Sequence, residues 1–160
     1  MTASAVTDSA LAFRTTMSRL PSGVSVITTR AGDAPIGMTA SSVTALSLDP
    51  VQLLVCVANH LFTRKAISEH GSFGVNILGE DHQALARQFA TKGDRFAGVE
   101  VDEEDGVPML RAAIANVVCD VAAALPGGDH TIFVGTARRF GHVDEGRPLV
   151  HCRGEFGRIV

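Results

Sequence analysis

Tryptophan and tyrosine are both missing from this 160-residue chain, and aromatic residues amount to only 5% of it. Charge is sparse as well, at 19% of residues, with a formal net charge of −3 and a pI near 6.0. That balance offers no basic face to nucleic acid or to an acidic membrane surface. Long apolar runs are absent: the longest unbroken one, Leu53 to Ala58, is far too short to span a bilayer. Cysteine is scarce and odd in number, at three. Cys56, Cys119 and Cys152 form no C-x-x-C pair and each lies in an apolar, strand-like run, so buried free thiols in a reducing cytoplasm are expected. The six histidines provide no H-E-x-x-H or H-x-x-E-H spacing, so no metal site is expected.

The common nucleotide motifs are missing too. Gly32-Asp33-Ala34-Pro35-Ile36-Gly37-Met38-Thr39 nearly spells a P-loop, but Met38 stands where the phosphate-binding lysine must be. The residues after it alternate in strand fashion and open no helix whose N-terminus would face an anion. A nucleoside triphosphatase is therefore not expected. No three glycines have the G-x-G-x-x-G spacing, which removes the Rossmann fingerprint.

What is present begins with size. The length suits one domain with a substantial core and no linker. Met1 to Ser9 lacks the basic and apolar regions of a signal peptide. A flexible tail over residues 1–10 and one domain over 11–160 are expected. Hydrophobic residues make up 46% of the chain and the mean hydropathy is +0.21. That leaves little polar surface for a monomer, so apolar surface buried against a second copy, a homodimer, is expected.

Along the chain, Asp8 or Ser9 caps a first helix to about Arg19, with Phe13, Met17 and Leu20 on one face and Pro21 as the stop. Val24 to Thr29 reads as a strand and Ile36 to Leu48 as a long one. Asp49-Pro50 breaks the pattern before a strand from Val51 to Ala58. Thr63 suits the N-cap of a short helix ending at His70 and Gly71. Phe73, Val75 and Ile77 give a strand face, and Asp81 to Ala90 a helix with Leu85 and Phe89 at i, i+4. The acidic run Glu100 to Asp105 lacks calcium-loop spacing and reads as a solvated loop. Strands follow near 114–125, 131–140, 149–153 and 156–160. Strands in this number, with three short helices and no β-α-β-α alternation, predict a mainly β fold: a closed or partly closed barrel with helices at its ends.

The segment Gly37 to Pro50 places five hydroxyl side chains among small residues beside the apolar strand Val51 to Ala58. Small residues allow a ligand close to the backbone, and hydroxyls with main-chain N–H groups hold phosphate without lysine or metal. Thr39, Ser41 and Ser42 also suit an ordinary solvated strand. Arg95 suits either a surface pair with Asp94 or a bidentate phosphate contact. His130 either begins a strand after Gly127-Gly128 or meets a ligand beside Asp129. Arg138-Arg139 suits a solvated strand exit or a 2′-phosphate.

From Phe13 to Ile159 the sequence resembles the short-chain flavin reductases of two-component monooxygenases, whose fold is the FMN-binding split barrel. The matching pieces include Leu20-Pro21-Ser22-Gly23-Val24, the Gly37 to Pro50 segment, Val55-Cys56-Val57 and Gly74-Val75-Asn76-Ile77-Leu78. Leu85 to Ala90, Asp94-Arg95-Phe96-Ala97-Gly98, Gly128-Asp129-His130-Thr131 and Arg153-Gly154-Glu155-Phe156-Gly157 match as well. The resemblance implies a homodimer in which NADH delivers hydride to N5 of FAD or FMN. It implies flavin contacts from Met38, Thr39, Ala40, Ser41, Ser42 and Val43, from Cys56, Val57, Ala58, Asn59 and Thr63, and from Phe89, Ala90 and Arg95. It implies nicotinamide-nucleotide contacts from His130, Arg153, Gly154, Glu155 and Phe156. The chain departs from the family at Ala58-Asn59-His60-Leu61-Phe62, where a serine-rich run is usual, and at Phe156, where tyrosine is common.

Hydride transfer between stacked rings needs position and a dry slot more than a catalytic side chain, which agrees with the lack of any triad or paired carboxylates. Without tryptophan or tyrosine, the flavin ring rests on aliphatic groups, backbone or phenylalanine, a loose slot suited to a releasable flavin. The function expected is an NAD(P)H:flavin oxidoreductase, using NADH in preference to NADPH and supplying a separate flavin-dependent monooxygenase. The alternatives are a non-catalytic flavin- or haem-binding split barrel and, less suited for want of an Arg/Lys phosphate cluster, a relative of pyridoxamine-phosphate oxidases.

Overall fold

The computed structural model of the chain describes residues 3–159. Helix α1 (Ala3–Met17) opens it, starting ahead of the Asp8 or Ser9 cap and taking in most of the stretch expected as a tail. Strands β1 (Ser22–Gly23) and β2 (Ser25–Ala31) follow, the latter carrying the β-branched run Val26 to Thr29. Gly32, at φ 58, turns the chain into β3 (Ala34–Ala40). Then come β4 (Val43–Leu48) and β5 (Val51–Ala58), with the Asp49-Pro50 turn between them. The segment expected as one long strand is thus two, broken at Ser41-Ser42.

Helix α2 (Phe62–His70) ends as expected at Gly71, whose left-handed φ of 78 lets its N–H reach Ile67 O. Its N-cap is Leu61, without a side-chain bond, so the cap expected at Thr63 is not formed. Thr63 sits inside the first turn and is buried against the barrel. After β6 (Ser72–Ile77) comes α3 (Gln83–Ala90).

The acidic run is also a correction. It forms one arm of a hairpin, β7 (Val101–Glu104) with β8 (Val107–Leu110), the four residues of β8 being buried. Basic side chains hold it: Arg30 pairs with Glu103, Arg111 reaches Asp102 Oδ1 at 2.6 Å, and Arg139 Nε reaches Glu104 Oε2 at 3.2 Å. The chain ends with β9 (Ala115–Gly127), β10 (His130–His142), β11 (Leu149–Cys152) and β12 (Glu155–Arg158).

Seven strands make the main sheet, in the order β3-β2-β6-β9-β10-β5-β4. Its two edge strands, β3 and β4, are consecutive in the chain and only Ser41-Ser42 lies between them. The edges therefore meet at this point without pairing along their lengths, a partly closed, split barrel. Inside it pack Ile27, Met38, Val55, Val57, Phe73, Val75 and Phe133. A second cluster, Val24, Val26, Leu78, Ala86, Phe89, Leu110 and Leu149, fills the space between the sheet, α3 and the β11–β12 hairpin. One buried polar residue ties these layers. Asn76 donates to Val26 O at 2.9 Å and Thr28 Oγ1 at 3.0 Å, and accepts from Leu110 N at 2.7 Å, so its burial leaves no amide group unpaired.

Candidate functional site

The place where the barrel edges meet is also the hydroxyl-rich segment. Strand alternation sends Met38 and Ala40 into the core and leaves Thr39 and Ser41 outside. Ser42 closes the seam against β5: its carbonyl accepts from Cys56 N at 3.3 Å, and its hydroxyl donates to Cys56 O at 2.8 Å. Thr39 Oγ1 donates to Ala86 O of α3 at 2.6 Å. The hydroxyl protons of Thr39 and Ser42 are therefore engaged within the fold. Ser41 and Thr44 remain exposed, with no hydrogen-bonded partner for their hydroxyls among the described residues. Met38, Ala40 and Val57 are buried, so they can meet a ligand only through the main chain.

Beside the seam, Gly37 is bare for a reason. A Cβ there would lie 2.7 Å from the Phe89 ring and 3.2 Å from that of Phe96. The two rings meet edge to face at 4.9 Å between centroids, and Phe89 is fully buried. Phe89 thus supports the site from within; Ala90, the next residue, is exposed. Thr63 is likewise buried.

Arg95 does not pair with Asp94, whose carboxylate accepts from Phe96 N at 3.1 Å. Its guanidinium donates to Gly37 O and to Thr91 O, both at 2.7 Å. Gln88 holds the same loop by donating to Arg95 O at 3.0 Å and Ala97 O at 2.9 Å. An open cleft of about 360 Å³ lies here, lined by Leu61, Phe62, Thr63, Lys92 and Arg95 among others.

At the end of β5, His130 faces Ala58 across the ladder. Its Nδ1 lies 2.7 Å from Asp129 Oδ1. The bond from His130 holds the Asp129 carboxyl below the usual aspartate range, helped by the charges of His130 and His60. An ionised carboxylate only accepts, so Nδ1 carries the hydrogen and Nε2 is the nitrogen left for a ligand. The Asn59 side chain is bonded to the turn before His130 and to Thr131.

The C-terminal hairpin turns through Arg153 and Gly154, at φ 56 and 84. Phe156 packs on His151 at 5.7 Å, and Arg87 of α3 lies over its ring at 5.4 Å. Helix α3 therefore brackets both regions, holding Thr39 through Ala86 and Phe156 through Arg87. No hydrogen bond or ion pair among the described residues joins His130 to Arg153–Phe156. Gly37, Ala86, Arg87, Gln88 and Asp129 were not singled out in the sequence as site residues. Only the apolar stripe of α3 hinted at its role. The basic pair is accounted for structurally: Arg138 reaches Asp120 at 3.4 Å and Arg139 reaches Glu104.

A family profile described as the flavin reductase like domain matches residues 17–159. The chain belongs to this flavin reductase family. Among its relatives is the reductase component of 4-nitrophenol 4-monooxygenase/4-nitrocatechol 2-monooxygenase of Rhodococcus opacus. That protein is 40% identical over 149 residues, covering 92% of this chain and 80% of its own length. The crystal structure of nitrilotriacetate monooxygenase component B from Mycobacterium thermoresistibile superposes with a TM-score of 0.92 at 34% identity, over 96% of this chain and 88% of that one. An NADH:FAD oxidoreductase of Streptomyces globisporus, solved with NAD and FAD fragments, gives a TM-score of 0.91 at 29% identity, over 96% and 94%. The flavin reductase family thus accounts for a mainly β, split barrel that carries three helices.

Proposed function

We infer that this flavin reductase transfers hydride from NADH to FAD or FMN and supplies the reduced flavin to a separate monooxygenase. The observation that carries this reading is the seam between β3, β4 and β5, where exposed hydroxyls and main chain lie beside the loop that Arg95 ties to Gly37 O. Flavin, when bound, supplies the hydride-accepting ring, and the protein supplies position. The residues fit such a ligand. The exposed hydroxyls of Ser41 and Thr44, the main chain of residues 40–43 and 56–58, and the cations Lys92 and Arg95 suit a phosphorylated, planar group. His130 Nε2 and the Phe156 ring serve the nicotinamide nucleotide. NADH in preference to NADPH is supported by the pairing of Arg138 and Arg139 with acidic partners, which leaves neither as a free 2′-phosphate contact.

A homodimer is part of the same reading. Leu46, Leu48, Val51 and Phe140 are exposed on or beside β4, β5 and β10, and an apolar groove of about 280 Å³ runs among Leu48, Val51, Val117, Ala137 and Phe140. Leu11, Phe13 and Met17 of α1 are exposed as well. Three free cysteines support a cytoplasmic setting, and no described helix is long and apolar enough to cross a membrane.

The test of the supply role separates the reductase from a flavin-dependent monooxygenase by a dialysis membrane under low oxygen, with NADH and FAD present. Hydroxylated product, at a yield lowered by autoxidation, is expected. Its complete absence, when mixing the two proteins restores it, would show transfer by direct contact instead.

A further inference from the structure

Asn59 follows β5 and grips the neighbours of His130 on both sides. Its main-chain N–H donates to Asp129 O at 2.9 Å. Its side-chain Nδ2 donates to Gly128 O at 3.3 Å, and its Oδ1 accepts from Thr131 Oγ1 at 2.7 Å. The turn it holds contains Gly127 and Gly128, the latter at φ 70, and glycines give a turn little stiffness of its own. His130 itself takes no part in this grip. Its ring is bonded to Asp129 and remains half-exposed.

Asn59 stands just after β5, beside the strand end that carries Cys56 and Ala58. The side chain is spent on the hairpin and not on the seam. From there it fixes the Asp129–His130 pair relative to Cys56 and Ala58, the strand end nearest Ser42.

We propose that Asn59 and Thr131 are positioning residues that set His130 Nε2 at one place beside the seam, where it meets the nicotinamide nucleotide. The proposal rests on the reading of His130 as an NADH contact. Releasing the latch lets the turn move, so NADH binds less tightly while the flavin segment, held separately by Ser42 and Thr39, is unaffected. A role limited to general stability would lower the melting temperature without separating the two substrates.

The experiment measures KM for NADH, KM for FAD and kcat of the full chain with Asn59→Ala, Thr131→Val, Thr131→Ser, His130→Ala and the double variant Asn59→Ala/His130→Ala. Asn59→Ala is expected to raise KM for NADH roughly 3- to 10-fold, the effect of one or two hydrogen bonds, and to leave KM for FAD in place. Thr131→Val, which keeps the side-chain shape, is expected to give a smaller rise of the same kind. Thr131→Ser, which keeps the hydroxyl, is expected to restore the native value. In the His130→Ala background Asn59→Ala is expected to add nothing, because its effect passes through His130.

An unchanged NADH dependence in Asn59→Ala and Thr131→Val, with His130→Ala impaired, overturns the positioning role alone. So does an Asn59→Ala effect that persists undiminished without His130. If His130→Ala leaves KM for NADH unchanged, the assignment of His130 has failed and the proposal falls with it. Should Asn59→Ala not fold, the Thr131 pair and a Thr131→Val/His130→Ala double variant decide by the same criteria.

Discussion

Thr39 on β3 and Ala86 on α3 are joined by one short hydrogen bond, Thr39 Oγ1 to Ala86 O at 2.6 Å. Forty-seven residues apart in the chain, they lock the seam to the helix whose next residue, Arg87, covers Phe156. The flavin segment and the C-terminal hairpin thereby share one rigid support. Thr39→Val keeps the shape and removes the donor. It is expected to cost about 0.5–1.5 kcal/mol and to raise KM for flavin, while Thr39→Ser stays near native. Thermal unfolding and flavin titration check both; equal behaviour of the two variants would remove this bond from the support of the site.

Gly37 offers a steric test. A methyl group at this position meets the Phe89 ring at 2.7 Å, and Phe89 is fixed in the core against Phe96. Gly37→Ala is expected to destabilise by about 1–3 kcal/mol through overpacking. It should also weaken flavin binding, since Arg95 donates to the Gly37 carbonyl. A melting temperature and flavin affinity both equal to those of the native chain would contradict the packing described.

Much of the barrel is legible in the sequence. The strand Val51–Ala58 has its expected bounds, and Gly71 ends α2 as its place in the pattern required, because alternation and left-handed glycine caps are local signals. The break at Ser41-Ser42 was not legible, since no glycine or proline marks it and the change of edge is a property of the whole sheet. Nor was the acidic hairpin, whose strand Val101–Glu104 is held by Arg111 just after its second arm and by Arg30 and Arg139 from distant parts of the chain. The hydroxyl-rich run that lies at the seam stood out in the composition. The burial of Phe89 depends on the space left by Gly37, and the grip of Asn59 on a turn far along the sequence, so neither could be read locally.

The thiols should divide by burial. Cys119 is fully buried, and desolvation, with Asp120 beside it, pushes its pKa up to about 12. Cys56 and Cys152 are only partly buried. With a thiol reagent near pH 8, no more than two of the three cysteines are expected to react in the native protein, and all three in denaturant. FAD is expected to slow the reaction of Cys56. Rapid native labelling of Cys119, located by peptide mapping, would contradict the core as described.

The Asp129–His130 pair carries a pH signature. The folded Asp129 value is lowered, first by the bond from His130 and then by the charges of His130 and His60, while an unfolded aspartate titrates near ~3.9. Its contribution is therefore fully present above the unfolded value and is lost as pH falls through the lowered one. Asp129→Asn is expected to raise KM for NADH at neutral pH. The thermal stability difference between Asp129→Asn and the native chain should close only as the pH falls into that acid range. A difference that closes already near pH 6 would assign it to another group.

The most direct measurement follows NADH oxidation by the purified chain under anaerobic conditions with no flavin, with FAD and with FMN. Stoichiometric loss of NADH and bleaching of the flavin are expected with FAD, FMN or both, and no oxidation without flavin. NADH oxidation remaining at the enzyme-free rate with both flavins would contradict the reductase assignment and leave a non-catalytic flavin- or haem-binding barrel.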